Sequence, residues 1–202
     1  ENLSVGDVNQ LLTEKLTIAM EGEIRRLDPN IPTVLLAHLM ADKASLGAER
    51  FLAVGKGFNI PVAMLKRPCF DYVALGHVHK HQNLNASNDP PVIYPGSIER
   101  VDFSEEKEDK GFVLINLERG KAEWEFCALP VRVFLTIKVN VSESENPQAD
   151  LVKAIGKKEI QDAVVRLIYQ LRSEQLDLID NAELHILLGE AHSYTSQPEL
   201  VS

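Results

Sequence analysis

Apolar residues recur at helical spacing over the first 27 positions and predict one long amphipathic helix. Asp7 stands in front of this pattern as the expected N-cap, and Pro29 and Pro32 follow it. We therefore expect a helix from about Val8 to Leu27. Its apolar stripe consists of Val8, Leu11, Leu12, Leu16, Met20, Ile24 and Leu27.

Short continuous apolar runs come after this helix and predict buried strands. The run at 33–37 leads directly into His38, and the run at 72–75 is closed by Gly76 and His77. Further short strands are expected at 51–54, 60–64 and 92–94, with a turn at 55–57 and a polar loop at 83–91.

Alternating residues at 111–117 and 122–128, with Arg119 and Gly120 between them, predict a β-hairpin. Pro130 marks the expected domain boundary, so that we predict a domain over 1–129 and a smaller one over 130–202. The second has the pattern β-α-β-α-β: strands at 131–141, 163–171 and 192–201, and helices at 149–155 and 173–190. Both belong to the α/β (α+β) class.

Composition narrows the function classes. The 202 residues are 45% hydrophobic and 25% charged, as in a globular domain, and no apolar run is long enough for a membrane helix. The net charge of -9 is unfavourable for a nucleic-acid binder unless a metal supplies positive charge. Two cysteines without metal spacing, Cys69 and Cys127, favour a reducing compartment, and we expect a cytoplasmic protein.

The segment at 76–79 (Gly-His-Val-His) carries the clearest chemical signal. In extended backbone His77 and His79 face the same side, with Cα atoms ~6.5–7 Å apart. Neutral imidazole is the commonest metal-ligating side chain. If the strands before His38 and His77 are parallel neighbours, all three rings meet at one edge of the sheet, where α/β folds bind ligands. The simpler alternative for each histidine is a loop or strand-end residue that hydrogen-bonds to backbone or water.

The remaining candidates are weaker. His81 lies on the same face and is either a solvated loop residue or a substrate contact. His185 and His192 have no partner at ligand spacing and are expected to be structural. The acidic run at 99–110 has no ligand spacing, so we assign no metal to it.

The segments at 71–82 (Asp-Tyr-Val-Ala-Leu-Gly-His-Val-His-Lys-His-Gln) and 35–38 (Leu-Leu-Ala-His) carry a family resemblance. They resemble the last metal motif and the preceding histidine motif of the SbcD-type DNA repair nucleases, which belong to the calcineurin-like metallophosphoesterase family. The segments at 94–97 (Tyr-Pro-Gly-Ser), 103–106 (Phe-Ser-Glu-Glu) and 110–112 (Lys-Gly-Phe) match the stretch that comes after this motif in the family. The likeness runs from about residue 8 to about 127, and the part from Pro130 resembles the family's capping domain.

The resemblance implies a partial metallophosphoesterase β-sandwich with flanking helices, followed by a capping domain. It implies a two-metal site for Mn²⁺, in which His38 and His77 hold one ion and His79 the other. His81, Tyr94 and Ser97 would contact the substrate. The family's early motifs are absent, so the chain is expected to be the C-terminal part of a longer protein, with the catalytic residues upstream of Glu1.

The activity implied is Mn²⁺-dependent hydrolysis of DNA phosphodiesters, as a 3′-5′ exonuclease and single-strand endonuclease, with DNA and an SbcC-like ATPase subunit as partners. We expect the isolated chain to be nearly inactive, because three histidines hold two divalent ions poorly without a bridging carboxylate. We also expect a homodimer, formed through an unpaired sheet edge. Two alternatives stay open: another dinuclear phosphoesterase that acts on small phosphoesters, and a non-catalytic scaffold or partner-binding module.

Overall fold

The computed structural model describes residues 4–47, 59–85 and 90–201, which form two compact units. The first unit takes in the chain up to Glu99 together with Glu108–Pro130. The second takes in Arg100–Lys107 together with the chain from Val131 onwards. The mixed α/β architecture agrees with the predicted fold class.

Helix α1 spans Val5–Ile24 and begins with a capping box. The hydroxyl of Ser4 accepts a hydrogen bond from the backbone N–H of Asp7 at 3.2 Å, and the carboxylate of Asp7 accepts one from the backbone N–H of Ser4 at 3.0 Å. Asp7 is thus the third helical residue rather than the predicted cap. The helix begins and ends about three residues earlier than its apolar pattern suggests.

A mixed sheet organises the first unit. Its described strands are β1 (Val34–His38), β4 (Tyr72–Gly76), β6 (Val92–Tyr94) and β5 (Gln82–Asn83), in that spatial order. The first three are parallel, and β5 is antiparallel to β6. The pleat sends Leu35, Val73 and Leu75 into the core, where residues of α1, Leu16 and Met20, also pack.

A smaller pair of strands joins this core. Strand β2 (Met40–Ala41) pairs in parallel with β3 (Asn59–Ile60), and helix α2 (Val62–Leu65) comes next. The predicted strand over 60–64 was therefore wrong beyond Ile60, because Pro61 ends the ladder and starts a helical turn. The strand predicted at 51–54 and the turn at 55–57 lie outside the described residues.

The predicted hairpin is confirmed. Strands β7 (Gly111–Glu118) and β8 (Lys121–Ala128) pair antiparallel in unbroken register. One face of the hairpin is half-buried, including Trp124 and Phe126, while the other is exposed.

The second unit alternates strands and helices. Its elements are β9 (Phe134–Asn140), α3 (Pro147–Ile155), β10 (Val164–Leu171), a 3₁₀ helix (Ser173–Leu178), α4 (Asn181–Leu188) and β11 (Ser193–Leu200). The three strands form a parallel sheet of spatial order β11-β10-β9. The predicted β-α-β-α-β order is confirmed, and the helix expected over 173–190 is a 3₁₀ turn followed by α4.

Residues 100–107, here called the strap, pack against this second sheet. The ring of Phe103 meets that of Phe134 edge-on at 5.1 Å, and the guanidinium carbon of Arg166 lies 4.3 Å from the centre of the Phe103 ring. The carboxylate of Glu106 accepts hydrogen bonds from the backbone N–H and the hydroxyl of Thr136. None of the described helices has the length and apolar content needed to cross a membrane.

Candidate metal centre

Two of the three predicted metal ligands meet at the carboxyl ends of β1 and β4. The parallel register pairs His38 with Gly76, so that His77 is the next residue beyond the paired strand. The rings of His38 and His77 lie 5.3 Å apart, centre to centre, in a T-shaped arrangement. Their convergence results from the parallel register, since both strands end at the same edge.

Gly76 makes room for this pair. A Cβ atom at position 76 would lie 2.9 Å from Nδ1 of His38, closer than real Cβ contacts. A larger residue at this position would therefore displace the imidazole of His38.

His77 has an unusual backbone conformation, with φ of +100°. A residue with a side chain rarely adopts this conformation, and strained residues of this kind cluster at functional sites. The strain supports a function for His77 beyond that of a loop residue.

His79 is half-buried, and its backbone carbonyl is fixed from two sides. The oxygen accepts hydrogen bonds from the backbone N–H of Ser97 at 3.0 Å and from Nζ of Lys110 at 3.1 Å. The loop that carries His77 and His79 is thus tied to the polypeptide after β6 and to the start of the hairpin.

His81 packs among aromatic residues. Its ring stacks on Phe126 with centres 4.2 Å apart, and Trp124 lies at 6.0 Å. Nδ1 of His81 lies 3.0 Å from the carbonyl oxygen of Tyr94. Because that oxygen only accepts, Nδ1 carries the proton, and in the neutral ring Nε2 is an acceptor.

Tyr94 and Ser97, predicted as substrate contacts, both take part in internal hydrogen bonds. The hydroxyl of Tyr94 is fully buried and donates to the carbonyl of Leu39 at 2.8 Å, while it accepts from the N–H of Ala41 at 3.0 Å. The pKa of Tyr94 is raised above its ordinary value, because the effect of burial outweighs the lowering effect of the hydrogen bond from Ala41. The Ser97 hydroxyl donates to the carbonyl of Glu99 at 2.8 Å. Tyr94 thus supports the segment just beyond His38.

The opposite end of β4 is fixed by a buried carboxylate. Asp71 accepts hydrogen bonds from the N–H groups of Thr33 and Gly120, each at 2.7 Å, and from Nη1 of Arg119 at 2.5 Å. Burial raises the pKa of Asp71, but these three donors outweigh it and hold the pKa below its ordinary value. The cluster joins the starts of β1 and β4 to the turn of the hairpin.

The described side chains at this edge of the sheet supply only some of the ligands that a divalent metal ion needs. Two imidazoles lie side by side, beside a glycine that leaves room for them. Within residues 4–47, 59–85 and 90–201, however, no three His, Cys, Asp or Glu residues are arranged to hold one ion. The described residues therefore bring two imidazoles together without completing a three-ligand metal site.

Two features of this site were not predicted from the sequence. The segment at 110–112 was noted for its resemblance, yet nothing indicated that the Lys110 ammonium lies beneath the histidine loop. The packing of His81 on Phe126 depends on a contact between distant strands. The predicted structural role of His185 agrees with its hydrogen bond to the Tyr194 hydroxyl.

No model of a known protein family matches the chain. Among curated proteins, an uncharacterized metallophosphoesterase, YhaO of Bacillus subtilis, is 38% identical over 79 residues, which are 39% of this chain and 19% of that protein. Two SbcD subunits of SbcCD nucleases also match. The subunit from Staphylococcus epidermidis is 28% identical over a segment that covers 54% of this chain and 28% of that protein. The subunit from Rhodobacter capsulatus is 33% identical over a segment that covers 46% of this chain and 22% of that protein.

The matched segments make up less than a third of each of these relatives. They confirm the resemblance of the chain to SbcD-type metallophosphoesterases.

Proposed function

We propose that this chain, a relative of the SbcD-type metallophosphoesterases, contributes imidazole ligands to a two-metal centre that hydrolyses DNA phosphodiester bonds. The observation that carries the proposal is the 5.3 Å contact between the His38 and His77 rings at the carboxyl edge of the sheet. Two named relatives are nuclease subunits, which favours DNA over small esters. Divalent ions bound there, Mn²⁺ in our proposal, would activate a water and neutralise charge on the scissile phosphate.

The chain's own residues have distinct roles in this proposal. His38 and His77 hold one ion, and His79 holds the second. Gly76 keeps a side chain away from Nδ1 of His38, so that the ring keeps its position. His81, Tyr94 and Ser97 border the substrate: His81 through Nε2, and the other two through the backbone that they fix.

The complex proposed is an SbcCD-like assembly acting in DNA repair and recombination, with an SbcC-like ATPase as the second subunit. In this proposal the DNA backbone lies against the histidine edge. The loop after β4 is held there through the His79 carbonyl, and the end of β1 is held by the buried Tyr94 hydroxyl. We place the protein in the cytoplasm, because Cys69 and Cys127 are both free thiols.

We further propose self-association as a homodimer through β1. Among the described strands β1 pairs only with β4, so it lies at the edge of the sheet. Leu36, in the middle of β1, is 82% exposed. An edge strand with an exposed apolar residue is a template for pairing. Sedimentation of the wild-type chain and of Leu36→Lys tests this: we expect a dimer that the substitution dissociates, and a wild-type monomer at high concentration would refute it.

Metal binding is tested by EPR titration of Mn²⁺ with the purified chain. We expect His38→Ala and His77→Ala to weaken binding by at least tenfold, while His192→Ala, an exposed histidine in the second unit, leaves it unchanged. Equal binding by all four proteins would refute the site.

Activity is tested on the native protein from its own cells, with linear DNA and an aryl phosphodiester offered side by side with Mn²⁺. Preference for DNA supports the proposal. Preference for the aryl ester would favour the alternative of a phosphoesterase for small substrates, which the match to a metallophosphoesterase of unspecified substrate keeps open. We propose that the 202-residue chain alone cleaves DNA weakly, because the described residues supply no bridging carboxylate group, and robust cleavage by it would refute that.

A further inference from the structure

The backbone carbonyl of His79 accepts hydrogen bonds from two donors in different parts of the chain. The N–H of Ser97 approaches it at 3.0 Å and the Nζ of Lys110 at 3.1 Å. In sequence these donors lie 18 and 31 residues beyond His79. Their convergence on one oxygen fixes the position of this loop relative to β6 and β7.

Lys110 is an unusual residue to find at this position. Its side chain is fully buried, with 0% exposure, and its ammonium also bonds to the carboxylate of Glu108 at 3.0 Å. Lysine is almost never fully buried unless its charge is paired, because removing the ammonium from water is costly. The ion pair and the His79 carbonyl compensate the charge, so the burial keeps Nζ directed at the loop.

The turn before Ser97 is shaped to reach the same oxygen. Gly96 has φ of +87°, and a Cβ atom there would lie 2.6 Å from the carbonyl oxygen of His79 and 2.9 Å from the backbone nitrogen of His81. Only glycine combines this conformation with this approach. The turn therefore lies directly against the histidine loop.

A loop that contains a strained residue needs such support. His77 has φ of +100°, a conformation that persists only where the surrounding structure enforces it. The hydrogen bonds to the His79 carbonyl lie two residues away and restrict how far the loop can relax.

We propose that Lys110 is a positioning residue for the divalent-cation ligands, acting through the His79 carbonyl together with the Gly96–Ser97 turn. This inference rests on the proposed function of the histidine edge. The buried ammonium holds the loop that carries His77 and His79 through the backbone carbonyl of His79. It acts on the metal ligands only through this loop.

The test compares Lys110→Met with the wild-type chain. Methionine keeps the length and apolar stem of lysine but cannot donate to the carbonyl. The control is Lys121→Met, which removes an exposed lysine from the same hairpin, 65% exposed and paired with Glu123. Mn²⁺ affinity is measured by EPR titration, and coordination of Mn²⁺ by imidazole nitrogen is measured by pulsed EPR. If Lys110 had only a structural role, a folded Lys110→Met variant would keep the nitrogen couplings of the wild type.

We expect Lys110→Met to bind Mn²⁺ about 10- to 100-fold more weakly and to lose nitrogen couplings, while Lys121→Met behaves as the wild type. A folded Lys110→Met with unchanged affinity and couplings would overturn the inference and leave the proposed function standing. If the wild-type chain itself binds no Mn²⁺, the proposed function fails first, and the metal role of Lys110 fails with it.

A measurement on the wild-type chain covers the case in which Lys110→Met does not fold. NMR of the lysine ammonium groups is expected to show one slowly exchanging NH₃⁺ signal that correlates with the ¹³C-labelled His79 carbonyl. Amide exchange of Ser97 is expected to be protected in the same sample. A Lys110 ammonium that exchanges as fast as exposed lysines and has no correlation with this carbonyl would overturn the inference.

Discussion

The hydroxyl of Tyr94 donates a hydrogen bond to the carbonyl oxygen of Leu39, 55 residues earlier in the chain, at 2.8 Å. It also accepts from the N–H of Ala41 at 3.0 Å. Leu39 is the residue immediately after His38. The residue that leads into the Pro95–Gly96–Ser97 turn is therefore also the residue that fixes the strand end carrying the first histidine.

Replacing Tyr94 by phenylalanine should destabilise the first unit by about 1–3 kcal/mol, because Leu39 and Ala41 lose their shared buried partner. Urea denaturation followed by circular dichroism measures the change. The control is Tyr194→Phe, whose hydroxyl bonds to the exposed His185 in the second unit and is expected to cost less than about 0.5 kcal/mol. Similar losses for the two variants would contradict the role given to Tyr94.

Gly96 and Gly120 form a matched pair for alanine substitution. Both have positive φ, +87° and +82°, but a Cβ at 96 would strike the His79 carbonyl, whereas a Cβ at 120 meets nothing within 4 Å. Gly120→Ala is expected to cost about 1–2 kcal/mol for the backbone conformation alone. Gly96→Ala should cost more and should also weaken Mn²⁺ binding, which Gly120→Ala should leave unchanged. Thermal unfolding and EPR titration of the two variants give the comparison, and an equal effect of both would show that the close approach has no consequence.

Asp71→Asn should destabilise the chain by about 1–3 kcal/mol at neutral pH, since an amide replaces the carboxylate that Thr33, Gly120 and Arg119 share. The folded-state pKa of Asp71 is lowered. Its stabilising contribution is therefore fully present above the unfolded pKa of about 3.9 and is lost as the pH falls through the folded pKa.

The stability difference between wild type and Asp71→Asn should accordingly be constant from about pH 7 to about pH 5 and should shrink below about pH 4. Chemical denaturation at a series of pH values measures it. Glu118→Gln, an exposed carboxylate next to Arg119 in the hairpin, is the control and should change little at any pH. A difference that grows on acidification would contradict the assigned direction of the pKa.

The meeting of His38 and His77 was predictable, because two apolar runs that each end in histidine place both residues at one edge once the strands are parallel. The first residue of α1 was less predictable, because Ser4 and Asp7 are both common N-cap residues. Only the reciprocal hydrogen bonds of the capping box show that Ser4 is the N-cap. The strand expected over 60–64 ignored Pro61, which cannot donate to a ladder.

The burial of Lys110 lay beyond the reach of the sequence for a different reason. A lysine two residues after Glu108, in an acidic run, has the pattern of a solvated loop. Its position depends on where β7 lies relative to the loop after β4, which is a long-range relation that no local pattern encodes. The same holds for His81, whose partner Phe126 is 45 residues away.

The strap offers a test of the second unit. Phe103→Ala should destabilise that unit by less than the about 3–5 kcal/mol typical of a fully buried phenylalanine, because the Phe103 ring is only half-buried. Hydrogen exchange at the backbone amides of β9 and β10 measures the change, with Phe112→Ala, an exposed phenylalanine of the hairpin, as the control. Unchanged protection in β9 would show that the strap contributes little.

Because residues 100–107 belong to the second unit while both of their flanks belong to the first, the polypeptide passes between the units three times. Neither unit is one uninterrupted stretch of gene. A gene recombination at codon 130 would therefore transfer the second sheet without Phe103, which packs against it. Transfer of the complete second unit requires two separate coding segments, one for residues 100–107 and one for the chain from Val131 onwards. Such interleaving favours inheritance of the two units as a single piece.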